Sequence, residues 1–208
     1  MQITNNLNND ISEAPEWFNQ AINIKPSEKI LESEKGPLSY SIWPTESKNK
    51  NLLIFIHGTG AHKKWWYPIA PQFVNYSNVI AIDLPGMGDS GFRKKYSIKD
   101  FGQCVISIIR KEQSNLDIDN IFIVGHSLGG QVAGYVASEE KELVSNLIMI
   151  DTFIRPPDWD PSQNEGGPLR MIKYYSVKTT ILKRFRLLPQ QECKNEWFVR
   201  YIAEHSVK

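Results

Sequence analysis

Ile121-Phe122-Ile123-Val124-Gly125-His126-Ser127-Leu128-Gly129-Gly130 decides how the chain is read. Four apolar residues in a row suit a strand covered on both faces. They run into Gly-x-Ser-x-Gly, and behind it Ala133, Gly134 and Ala137 keep a helix-forming stretch slim. Strand, tight turn and helix is the setting that lifts a serine hydroxyl clear of its backbone. A hydroxyl is a weak nucleophile. It needs a base, and donors for the oxyanion that forms on attack. Ser127 is the candidate nucleophile, and the amide of Leu128, at the start of the helix, is one donor.

Working outward, similar apolar runs occupy residues 52–56, 79–84 and 147–150. Between them fall helical patterns: a short one over 67–73, and a longer one opened by Ser97. There Phe101, Val105, Ile108 and Ile109 share one face, and Ser97 with Asp100 has capping-box-like spacing. Residues 29–34 and 39–43 alternate as two hairpin strands about Lys35-Gly36-Pro37. Strands alternating with helices predict an α/β fold, a mostly parallel sheet with flanking helices. Ligands in such sheets sit beyond the carboxyl ends of the strands. Thr59, Asp83, Ser127 and Asp151 all fall at such ends, on one rim.

The division that follows is an arm at 1–28 with little pattern, a core at 29–152, and a helical lid at 153–208. The lid region has two apolar helix faces, Val177, Ile181, Leu182 and Phe185, then Phe198, Tyr201, Ile202 and His205.

The second oxyanion donor is expected from His57-Gly58-Thr59-Gly60, where Gly58 lets the backbone approach a substrate. The amide of Thr59 is favoured, with Gly60 close behind. His57 shapes that turn rather than transferring protons. His126 holds the variable position of the serine motif and lines the pocket or packs. His62, beside Lys63 and Lys64, reads as a surface residue. Trp65 and Trp66 suit an acyl pocket or core packing equally. Residues 83–91, rich in Gly and Pro, form a structural loop flanking the site.

Over 208 residues the net charge is +1, which suggests no nucleic-acid partner. Residues 161–208 hold nine Lys and Arg against four acids. That basic quarter faces an anionic substrate or lipid, or is simply a solvated face. The two cysteines, Cys104 and Cys193, show neither metal-ligand spacing nor a disulfide framework. Cys104 reads as a small buried apolar residue. No metal or other cofactor is expected. The polar, Asn-rich start lacks a secretory pattern, and no apolar run reaches membrane-spanning length. A soluble cytoplasmic protein with a small-molecule acyl substrate is the expectation.

The motifs His57-Gly58-Thr59-Gly60, Asp83-Leu84-Pro85-Gly86-Met87-Gly88-Asp89-Ser90 and Gly125-His126-Ser127-Leu128-Gly129-Gly130 stand in an order that resembles the α/β-hydrolase superfamily. The likeness is to its esterase, lipase and epoxide-hydrolase-like branch, from about residue 29 onward. The stretches 184–189 and 201–206 also resemble lids of one bacterial-type group. The resemblance implies a hydrolase of carboxylic esters or similar acyl substrates, with Ser127 as nucleophile. Haloalkane dehalogenases and epoxide hydrolases would carry aspartate there, which disfavours those chemistries.

In that family the lid is followed by two further strands bearing the acid and the histidine, and this chain ends where the lid would return. Asp151 is the candidate acid, since some members place it there. His205 is the one histidine after Ser127. It sits on an apolar helix face, where packing is its ordinary role, and is a poor base. The leading expectation is a hydrolase by family whose triad is incomplete in this chain. A non-catalytic ligand-binding or scaffold relative stands second, and a short esterase using Ser127, Asp151 and His205 third. The first predicts an uncovered sheet edge, with self-association or a complementing C-terminal segment.

Overall fold

The computed structural model describes residues 14–152, apart from 47 and 49. In chain order the elements are α1 (Glu16–Asn23), β1 (Ser27–Leu31), β2 (Leu38–Trp43), β3 (Asn51–Ile56), β4 (Asn78–Ile82), α2 (Ile98–Gln113), β5 (Asn120–His126), α3 (Leu128–Glu139) and β6 (Val144–Ile150). Two 3-10 turns, Lys63–Trp66 and Ala70–Phe73, link β3 to β4. The strands form one sheet in the order β1-β2-β4-β3-β5-β6. β1 and β2 are antiparallel to their neighbours, whereas β4, β3, β5 and β6 run parallel.

That order places a switch point at the centre. From β3 the chain moves to β4 on one side; from β5 it moves to β6 on the other. The chain thus leaves β3 and β5 toward opposite sides of the sheet, the arrangement that in such folds forms a ligand crevice at the carboxyl ends. The register Ile56↔Gly125 brings the two strand ends level.

Both sheet faces are covered over the middle strands, which explains their unbroken apolar runs. Leu52, Ile54, Ile56, Ile121 and Ile123 pack beneath α2 and α3, with Val105, Ile109, Val132 and Val136. Leu53, Phe55, Val79, Ala81 and Val124 turn the other way, toward Trp66, Tyr67 and Ala70. Each wholly buried Leu or Ile contributes about 1.5–3 kcal/mol, so this two-sided core holds the crevice in place. β6 differs: Ile148 and Ile150 are 55% and 43% exposed.

Several boundaries depart from the sequence reading. The stretch read as a patternless arm contains α1, where Phe18 and Ala21 are buried one helical turn apart. Two turns with two buried residues leave too short a period to detect. The short helix expected at 67–73 is the pair of 3-10 turns, with a proline at the start of the second. β1 runs earlier than expected because residues 33–36 close a turn, Gly36 N–H donating to the Ser33 carbonyl at 2.8 Å. Ser97 caps α2 as its spacing predicts, accepting from Asp100 N–H at 3.0 Å. Its hydroxyl also donates to the Asp100 carboxylate at 2.6 Å. The expected lid lies outside the described residues.

Candidate active site

Ser127 stands between β5 and α3 with φ 52° and ψ −115°. Among the described residues only Ser127 and Asp151 combine a side chain other than glycine's hydrogen with a positive φ. They follow adjacent strands, β5 and β6. Strain of this kind costs about 1–3 kcal/mol and persists where the surroundings dictate it. Here the surroundings are tight. A β-carbon on Gly129 would lie 2.3 Å from the Ile56 carbonyl oxygen and 2.5 Å from that of His57. The first turn of α3 is thus seated directly on the end of β3.

Hydrogen bonds fix the elbow further. Ser127 N–H donates to the Ile150 carbonyl at 3.0 Å, and the Ser127 carbonyl accepts from Gly130 N–H at 3.1 Å. The Ser127 amide is therefore used up. The amide of Leu128 opens α3, where the first N–H groups have no partner within the helix. The helix dipole adds to its pull on an anion.

The loop after β3 faces this turn. A β-carbon on Gly58 would lie 2.9 Å from His126 Nδ1 and 3.1 Å from the Ser127 Cβ, so Gly58 touches the elbow as only glycine can. Gly58 is buried, while Thr59 and Gly60 are exposed, Gly60 with φ 72°. The Gly58 carbonyl accepts from His57 Nδ1 at 2.7 Å and from Ala61 N–H at 3.3 Å. Because a trans peptide is planar, anchoring that carbonyl sends the Thr59 N–H the opposite way.

His57 itself is wholly buried. Its Nε2 accepts from Leu84 N–H at 3.1 Å, which assigns the proton to Nδ1. Burial pushes its pKa down to about 4, outweighing the Gly58 carbonyl and Asp83. His57 is thus a neutral strut between the ends of β3 and β4, the turn-shaping role its position suggests.

His126 is half-buried, and its Nδ1 is buried without a hydrogen-bond partner. Burial lowers its pKa, and the Asp151 carboxylate acts against that shift. Asp151 therefore lies close enough for His126 to feel its charge. The two tryptophans have different partners. Trp65 stacks on His126 at 6.1 Å between ring centres, beside the elbow, whereas Trp66 stacks on Phe55 at 4.8 Å in the core. His205 lies outside the described residues. Among the described residues no group of three or more His, Cys, Asp or Glu could hold a metal ion.

One expectation fails. His62 is 5% exposed and Lys63 only 2%, neither being a surface residue. The Lys63 ammonium is answered by Asp83, Asp89 and Glu28. Those partners lie far off in sequence, so the local string of charges gave no hint. Cys104 is half-buried rather than buried.

A family model described as "alpha/beta hydrolase fold" matches residues 51–186. The chain is 32% identical over 131 residues to the pimeloyl-[acyl-carrier protein] methyl ester esterase of Pseudoalteromonas atlantica, covering 59% of this chain and 48% of that one. It is 33% identical over 104 residues to the soluble epoxide hydrolase of a Corynebacterium species, covering 48% of this chain and 34% of the relative. Among solved structures, a membrane phospholipase A described as a bacterial virulence factor superposes with a TM-score of 0.57 at 26% identity, over 68% of this chain and 44% of that one. The chain thus spans about half the length of the esterase and less of the other two.

Proposed function

The chain belongs to the α/β-hydrolase family, and from that premise we propose a serine hydrolase site for carboxylic esters or similar small acyl substrates. The observation that carries the reading is the contact between Ser127, strained on its elbow, and Gly58 of the facing loop. On this reading the nucleophile stands beside two candidate donors, the amides of Leu128 and Thr59. Attack of the Ser127 oxygen on an acyl carbon would place the developing oxyanion between them. Removing one such donor typically raises the barrier by about 3–4 kcal/mol. Trp65 and His126 flank the acyl site, and Gly60 lets the loop turn over it. The serine also excludes the aspartyl ester intermediate that an epoxide hydrolase needs.

Asp151 is the proposed acid. It shares a positive φ with Ser127 one strand away, 45° against 52°, and strained residues cluster at working sites. Of the histidines nearest the elbow, His57 uses both ring nitrogens, on the Gly58 carbonyl and the Leu84 amide, and His126 Nδ1 is covered, so neither is the proposed base. His205, the one histidine after Ser127, lies outside the described residues and is the remaining candidate. An oxyanion hole and binding without a base leave only about 10³–10⁴-fold over water, and weak ester hydrolysis is what this reading expects. Free Cys104 is consistent with a reducing compartment such as the cytoplasm.

A fluorophosphonate probe tests the assignment: it labels the chain slowly, and Ser127→Ala removes the label. Equal labelling of parent and variant would exclude Ser127. Hydrolysis of p-nitrophenyl butyrate should be unchanged in His205→Ala. A parent rate on the order of 10 s⁻¹, lost in that variant, would make His205 the base.

A further inference from the structure

Lys63 is the most deeply buried cation among the described residues, at 2% exposure, and the site chemistry above leaves it unexplained. Its ammonium lies 3.1 Å from Asp83 Oδ2, 3.2 Å from Asp89 Oδ2 and 3.2 Å from Glu28 Oε2, and it donates to Ser39 Oγ at 2.6 Å. Asp83 is wholly buried, while Asp89 and Glu28 are about half exposed. The Asp83 carboxylate also takes two backbone amides, Lys63 N–H at 2.7 Å on Oδ1 and Asp89 N–H at 2.9 Å on Oδ2. One carboxylate thus grips both the backbone and the side chain of the same residue.

The location gives this cluster its meaning. The loop from β3 is anchored at its start, where His57 takes Leu84 N–H, and again at Lys63, where Asp83 takes the backbone. Both anchors are neighbours at the end of β4. Between them lie residues 58–62, of which Gly58 touches the elbow and Thr59 and Gly60 are exposed. Buried ion pairs seldom add net stability, since desolvation consumes the Coulomb gain. A pair retained here serves geometry better than it serves stability.

We propose that Lys63 is a positioning residue: its ammonium is the counter-charge of the buried Asp83 carboxylate, and Asp83 in turn holds the loop that presents the Thr59 amide to the oxyanion. Burial works against the charge on Lys63, and the surrounding carboxylates, Asp83 foremost, outweigh it. The role of Thr59 rests on the serine hydrolase reading; the tethering of the loop does not.

The test separates the two. Hydrogen exchange is measured on the full chain for residues 58–62 and for α2 and α3, alongside the rate of fluorophosphonate labelling. K63M leaves Asp83 buried without its counter-charge. Exchange across 58–62 should quicken by about tenfold or more while α2 and α3 stay protected, and labelling should slow. In K63M/D83N no buried charge is stranded, and the side-chain oxygen at position 83 still accepts the residue 63 amide. Most of the protection should return, a non-additivity that marks direct coupling. Should K63M not fold, the double variant carries the test: slow exchange across 58–62 upholds the proposal. Unchanged loop exchange in K63M, equal loosening of the whole sheet, or a double variant as loose as K63M overturns it. If the parent never reacts with the probe, the serine reading falls, and the exchange data still decide the tether.

Discussion

Gly58 and Ser127 are in contact across the crevice: a β-carbon on the glycine would lie 3.1 Å from that of the serine. Gly58→Ala must therefore push the loop off the elbow, because the 2.9 Å approach to His126 Nδ1 and the 3.3 Å approach to its carbonyl oxygen leave no room. Labelling of Ser127 should fall by about 10²-fold or more, the scale of a lost oxyanion donor. Thermal stability should drop by only a few degrees. Labelling within twofold of the parent would show that the loop's place does not matter.

Ser127→Gly should stabilise the chain. With φ 52° and ψ −115° the serine occupies a region that glycine enters freely. Relief of about 1 kcal/mol is expected, less the entropy that glycine adds to the unfolded chain. Ser127→Ala retains a β-carbon and should gain nothing. Urea denaturation of the three proteins checks this, and a Gly variant no more stable than the Ala variant counts against strain at the elbow.

Acid should loosen the site through His57. Its folded pKa of about 4 lies below the ordinary 6.5, so the unfolded chain binds more protons between those values. The neutral imidazole's contribution is complete above pH 6.5 and is lost as pH falls toward 4. A fall from 6.5 to about 4 corresponds to about 3 kcal/mol, of which about 2 kcal/mol is gone by pH 5. His126, also lowered by burial, acts in the same direction. His57→Gln should flatten the stability profile between pH 7 and 5 while lowering stability at pH 7. A variant whose profile keeps the parent's slope would assign the acid sensitivity elsewhere.

Ile148 and Ile150 expose apolar surface on β6, which among the described residues pairs on one side only. Such edges invite association. Ile148→Lys should reduce binding of a dye that reports apolar surface and shift sedimentation toward monomer. A parent that sediments as a dye-free monomer would remove the basis for this prediction.

Much of this was legible in the sequence. The apolar run into Gly125 marked β5, and the small residues behind Ser127 anticipated a helix pressed against the sheet. Ser97 announced its helix through a local hydrogen bond. These features are encoded within a few residues of one another. The interior position of Lys63 was not, since it depends on Asp83, twenty residues on, and Glu28, in β1. The two tryptophans could not be told apart either, because adjacent residues in a tight turn face opposite ways.

The register Ile56↔Gly125 gives the chain a built-in test of its own assembly. The chemistry proposed at Ser127 depends on two strand ends being level, and a slip of one residue would displace them by about 3.3 Å. A population labelled at Ser127 is therefore a count of molecules whose central strands have paired correctly. Probe labelling during refolding would time the closure of β3 on β5, a step that helix content cannot report.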